Sequence, residues 1–237
     1  MFLTTIYNEA IYRPLLNLLV FFYHYIPDIG VVIVLLTLFI RLLMAPSFHK
    51  SLKSQKAMTD LQPKLNELKE KYKNDKEGQA RAMMQLYKDY QINPLSSCLP
   101  LLIQFPILIA LYQVFSKALN NHLSGLYGFV AKPESINPFF LHVMDLSKPS
   151  IALGVLAGLA QFWQSKMMLP KNSSAPQDAT AKAIQMQTTY FLPIVSVVIA
   201  IKLPAGLPLY WLVTTLFAVG QQYWLAKRHQ PVVVKEN

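Results

Sequence analysis

The stretch IGVVIVLLTLFIRLLMAPS, residues 29–47, decides the solvent in which this chain folds. It is close to the roughly 20 consecutive apolar residues that cross ~30 Å of hydrocarbon as a helix, and Arg41 is its only charge. Residues 94–118 and 150–168 are blocks of the same kind. The block 185–226 is twice as long and is interrupted by KLPAGLP, so it reads as two spans, 185–203 and 206–226, around a tight turn at Pro204, Gly206 and Pro208. With 53% hydrophobic and only 14% charged residues massed in this way, the 237-residue chain reads as an all-α membrane protein with five transmembrane helices.

Orientation follows from the lysines and arginines. The segment 48–93, the inner end of the third span with its loop 169–184, and the tail 227–237 together hold sixteen of them. Five, namely Arg13, Lys117, Lys132, Lys148 and Lys202, fall on the other side. The positive-inside bias then places the N-terminus and the loop 119–149 outside and the C-terminus in the cytoplasm. The formal charge of +10 is accounted for by this topology and by anionic lipid, without direct nucleic-acid readout.

Residues 1–27 are apolar but carry Glu9, Arg13 and Pro14, and they have neither a basic leader nor a small-residue cleavage site. They read as a helix in the outer interface rather than a signal peptide, with Tyr7, Tyr12, Phe21, Phe22, Tyr23 and Tyr25 as its aromatics. A sixth span is the alternative, and it would reverse the charge bias. Between the first two spans, residues 48–93 carry Met58, Leu61, Leu65, Leu68 and Tyr72, then the turn KNDKEGQ, then Ala80, Met83, Tyr87 and Tyr90. Two such stripes in succession predict a cytoplasmic antiparallel helical hairpin, bent at Pro63.

The polar residues of the spans gather in the inner halves. They are Arg41 with Thr37 one turn before it, Gln104, Gln161 and Gln164, then Gln185, Gln187, Thr188 and Thr189, and the stripe Tyr210, Thr214, Phe217 and Gln221. The outer halves are nearly all apolar, so these groups predict a pocket open to the cytoplasm and lipid and closed to the outside. Arg41 has a bland reading as well: its side chain would snorkel toward the inner headgroups, and the twelve Leu, Ile, Val and Phe of residues 29–44 outweigh an insertion cost of ~2.5–3.5 kcal/mol. Against this stands an absence. No Asp or Glu occurs in any of the five spans, which leaves Arg41 poised for an acidic group arriving from elsewhere.

The same absence removes rival chemistries. All five histidines lie outside the spans and Cys98 is alone, so no catalytic or metal-ligating set is predicted, and no cofactor. A proton relay would require acidic or histidine groups within the spans. Gly154 and Gly158 form a G-x-x-x-G in the third span and read as close helix packing, within the bundle or between molecules.

Taken in order, IRLLMAP, LQPKLNELKEKYKND, MMQLYKDYQINPLSSCLPLLIQFPILIALY and LPAGLPLYWLVTTLFAVGQQYWL resemble the YidC/Oxa/Alb membrane protein insertases, over about residues 12 to 229. The resemblance implies that the half-pocket is a hydrophilic groove holding Arg41, with Gln104 and Thr37 at groove positions. Tyr210 and Trp211 would be the aromatic pair of the last span, with packing or an aromatic belt as their other reading. It implies a membrane insertase and chaperone in the bacterial inner membrane, with no covalent chemistry. Its partners would be nascent membrane proteins with short translocated tails and membrane lipids. The ribosome, the signal recognition particle and the Sec translocon are further candidates, although the short KRHQPVVVKEN tail weakens autonomous ribosome binding. A small-solute transporter or channel is the alternative from another class, and a structural assembly factor is a third.

Overall fold

The computed structural model describes residues 2–93, 99–120, 122–169, 183 and 186–228. Cys98, Gln185 and most of the loop 169–184 lie outside them. The N-terminal segment is helical throughout, as α1 (Phe2–Tyr7), a π-helical turn (Asn8–Tyr12) and α2 (Arg13–Tyr25). Pro14 has no N–H to continue the ladder, and just before it the pattern widens to i→i+5, with Arg13 N donating to the Asn8 carbonyl. The same device recurs at Gln187–Phe191, directly ahead of Pro193. Helix α2 carries core as well as surface. Leu16, Leu19 and Val20 are wholly buried, whereas Phe21 and Tyr25 are exposed. Tyr7 Oη donates to Gln113 Oε1 at 3.2 Å, which sets this segment beside the second apolar helix.

Helix α3 (Ile29–Asp60) begins where Asp28 caps it, accepting from Val31 N at 3.0 Å. It runs unbroken for 32 residues, about 48 Å, passing Pro46 without ending. The change of composition at residue 48 is therefore not a helix boundary. Helix α4 (Gln62–Lys71) follows after Leu61, with Pro63 in its first turn, where a missing N–H is harmless. Asp75 accepts from Gly78 N at 2.9 Å and starts α5 (Lys76–Asp89), which returns alongside α4: Lys64 Nζ reaches Tyr90 Oη at 2.6 Å. Leu61 and Leu65 are buried here, but no residue of α5 is, and Ala80 is exposed. The inward face of α5 is set by Met83, Leu86 and Tyr87, because an alanine methyl offers too little apolar area to choose it.

Helix α6 (Leu99–Leu119) leads into a long loop before residue 150, whose only strands among the described residues are β1 (Phe139–Phe140) and β2 (Met144–Asp145), paired antiparallel. The loop is fastened at both sides. Asn137 N donates to Tyr23 Oη at 2.8 Å, Leu141 N donates to Asp28 Oδ2 at 2.7 Å, and Gly206 N donates to the Leu146 carbonyl at 3.2 Å. Phe140 lies so close to Gly30 that a Cβ there would overlap its ring.

Helix α7 (Ile151–Met167), capped by Ser150, packs on α8 (Leu192–Ala200) and on α9 (Gly206–Arg228). Gly154 and Gly158 make the α7–α8 contact possible. A Cβ on Gly154 would stand 2.8 Å from Ile201 Cγ2, and one on Gly158 would overlap Val197. The G-x-x-x-G thus packs within the molecule. The core joins α2, α3, α6, the long loop and the start of α9 through Leu16, Ile33, Leu36, Leu111, Phe115, Leu146 and Leu207. Large apolar side chains also face outward, among them Leu43, Leu102, Phe105, Leu159 and Ile194. Among the described residues two helices, α3 and the stretch Leu102–Leu119 of α6, are long and apolar enough to cross a bilayer. Helix α7, with 17 residues, is about 25 Å long, and Gln187–Ala200 about 21 Å, both short of ~30 Å.

Candidate functional site

Arg41 sits on the buried face of α3, one turn beyond Thr37. Only 6% of it is exposed, so the guanidinium is held inside the protein. Nη2 donates to Gln104 Oε1 of α6 at 3.5 Å, and Gln104 Nε2 in turn donates to the Tyr210 hydroxyl of α9. Three helices meet at one chain of polar atoms. The ring of Phe48 covers the cation, its centroid 4.4 Å from Cζ. Nη1 is buried without a partner, and among the described residues no ion pair involves Arg41. A buried cationic donor with no acceptor is costly, by about 1–3 kcal/mol or more. A carboxylate brought to Nη1 would remove that cost.

The other residues predicted for this pocket divide. Thr37 is buried, but its hydroxyl donates to the Ile33 carbonyl at 2.6 Å and so serves its own helix. Tyr210 and Thr214, successive turns of α9, are both buried, and Thr214 Oγ1 has no partner. Trp211 and Gln164 are half-buried. Gln161, on α7, is half-buried too, with Oε1 unpartnered. Gln221 lies elsewhere: it lines an open groove of about 690 Å³ between α3 and α9, with Pro46, His49 and Lys50 on one wall and Phe217, Gly220 and Trp224 on the other. Next to Gln221 in sequence, Gln222 has both amide atoms buried and unpartnered, and it faces a second cavity of about 320 Å³ with Lys56, Asp60, Met167 and Met168. Arg41 lines neither of these two cavities. Phe48 is the residue the structure adds to the cluster. Its spacing from Arg41, seven residues and two turns along one face, is the signal that points to it.

Among the described residues no three His, Cys, Asp or Glu are grouped as a metal site would require. What the arrangement offers is electrostatic: a desolvated cation, a relay of amide and phenol, and outward apolar helices around them.

Comparison with known proteins gives a consistent relationship. The family model described as 60Kd inner membrane protein matches residues 21–232. The membrane protein insertase YidC of Pelobacter propionicus is 35% identical over 218 residues, covering 92% of this chain and 39% of its own length. That of Geotalea uraniireducens is 38% identical over 223 residues, at 92% and 38% coverage. A solved structure of an active YidC insertase with its first transmembrane domain resolved superposes with a TM-score of 0.61 at 25% identity, covering 92% of this chain and 46% of that one. The chain thus spans less than half the length of the relatives it matches.

Proposed function

Since the chain belongs to the 60Kd inner membrane protein family, the YidC/Oxa group, we propose that it is a membrane protein insertase and chaperone that passes short client transmembrane segments from the cytoplasm into the bilayer. The observation that carries this reading is Arg41: a buried cation, bridged through Gln104 to Tyr210, with one guanidinium nitrogen unsatisfied and, among the described residues, no carboxylate paired with it. An acidic or polar client tail would complete it. The tail would displace Phe48, and Thr214, Trp211, Gln161 and Gln164 would line its path. Helices α6 and α8, whose Leu102, Phe105, Ile194 and Val198 are exposed, would guide the apolar part into lipid.

In this reading the chain crosses the membrane five times, at α3, α6, α7, α8 and α9. The N-terminus is outside, and the α4–α5 pair lies in the cytoplasm, reachable by the ribosome, the signal recognition particle or the Sec translocon. The chemistry is partition without bond making. A polar half-groove shortens the apolar distance a tail must cross and lowers its desolvation cost. The membrane potential contributes about 2.3 kcal/mol per charge per 100 mV. Reconstitution tests the proposal. Proteoliposomes containing only this chain should insert a single-span client with a short tail. Vesicles that instead conduct ions or solutes, with no client protected from protease, would assign the chain to the channel class.

A further inference from the structure

We propose that the groove between α3 and α9 at their cytoplasmic ends binds one anionic, hydroxyl-bearing phospholipid of the inner leaflet, phosphatidylglycerol in chemical class. The site is separate from the Arg41 cluster. It rests on α3 crossing the bilayer in the orientation proposed above, with the end of α3 in the cytoplasm, and not on the insertase activity.

Depth comes first. Lys50 lies 21 residues beyond Ile29 on one unbroken helix, about 32 Å, so if Ile29 marks the outer edge of the hydrocarbon Lys50 stands at the inner headgroups. Charge is the second observation. His49 and Lys50 line the groove and, among the described residues, no Asp or Glu does, the composition of a basic pocket between helices that selects lipid phosphate. Shape is the third. A Cβ built on Gly220 meets nothing within 4 Å, so the wall between Phe217 and Trp224 is open and apolar, wide enough for the first methylenes of an acyl chain. Trp224, its ring edge against His49 at 5.6 Å between centroids, is the amphipathic residue expected at headgroup level.

The fourth observation selects the headgroup. Gln221 lines this wall and its Oε1 is buried without a partner, so a turn of the amide about its side chain presents that oxygen to a bound headgroup. It is an acceptor, which phosphate cannot satisfy and a glycerol hydroxyl can. A choline headgroup offers no such donor. An ethanolamine headgroup offers one, but only with a positive charge brought beside Lys50.

The test is lipid retention by the full chain, purified in detergent and read by native mass spectrometry after equilibration with phosphatidylglycerol or phosphatidylcholine. One phosphatidylglycerol is expected to stay bound in preference to phosphatidylcholine. Lys50→Gln should lower its occupancy about fivefold, the scale of one lysine's attraction to anionic lipid. Gly220→Phe, which fills the groove, should abolish retention, whereas Gly220→Ala should preserve it. Lys56→Gln is the control, since Lys56 is on the same helix but outside the groove. Equal retention of the two lipids overturns the proposal, as does an equal loss in Lys56→Gln and Lys50→Gln. If Gly220→Phe does not fold, as judged by circular dichroism, the Lys50 and Lys56 pair decides alone.

Discussion

Replacing Arg41 by alanine should weaken insertion selectively, for clients that have both an acidic tail and a marginally hydrophobic span. At an effective dielectric near ~20, a carboxylate about 4 Å from the guanidinium gains ~4 kcal/mol. Two losses come off that figure. The carboxylate is partly desolvated, and the Phe48 ring, now 4.4 Å from Cζ, gives up a contact of ~0.5–2 kcal/mol. A net of about 2 kcal/mol remains, roughly 30-fold in the occupancy of the groove by the tail. Leu-rich spans insert with enough surplus to hide this, and neutral tails never gain it. Arg41→Lys should retain most activity, because a point charge suffices for a client without fixed geometry. The assay is protease-protected insertion into proteoliposomes, comparing the parent with the Arg41→Ala chain on clients carrying Asp or Asn in the tail. The reasoning requires the two changes to be less than additive, since each removes the same interaction. Strictly additive losses in the four combinations would refute it and make Arg41 a residue of hydration or stability.

Three further outcomes are expected. Cysteines placed at Lys76 and Ser135 should react with impermeant reagents from opposite sides, Lys76 from the cytoplasm; the reverse pattern would invert the proposed topology. Gly158→Val should lower the thermal midpoint, by the ~1–3 kcal/mol that overpacking costs, because its side chain meets Val197 across the α7–α8 contact; an unchanged midpoint would mean the two helices separate freely. The Asp145 carboxyl is held below its usual range, first by the Ser147 hydroxyl and then by Lys148. Its folded value lies below the unfolded one near 3.9, so its contribution to stability is complete above about pH 5 and lost as pH falls through the folded value. The gap in thermal midpoint between the parent and Asp145→Asn should close on acidification, and a gap independent of pH would contradict this.

Helix limits were legible where an apolar run was long enough or was bounded by turn residues. The length of the apolar run alone suggests a helix at 150–168; in the structure Ser150 is its cap and α7 is Ile151–Met167. The LPAGLP turn placed the last helix at 206–226, and α9 is Gly206–Arg228. Composition misleads at Ser47 to Lys50, where polarity changes while α3 continues as one helix from Ile29 to Asp60. The polar cluster was partly legible for a related reason. Periodicity puts Tyr210, Thr214 and Gln221 on one stripe, but eleven residues of helix separate the first from the last by about 16 Å. Which neighbour each one meets depends on how α3 and α6 are set against α9, and no local pattern encodes that. Gln104 joined Arg41, and Gln221 did not.

Helix α3 behaves as a beam clamped at one end. Asp28, Phe140 and the buried run from Ile29 to Arg41 grip its outer part, whereas beyond Arg41 only Ser51 is buried before the helix ends. Pro46, which leaves one rung of the hydrogen-bond ladder open, marks where the grip stops. A bend of about 5° where the grip ends, at Pro46, displaces Asp60, ~21 Å away, by about 2 Å and leaves Arg41 in its place. A load hung on the α4–α5 pair is therefore taken up by the distal stretch of α3, and the buried guanidinium is insulated from it by the packed run before Pro46.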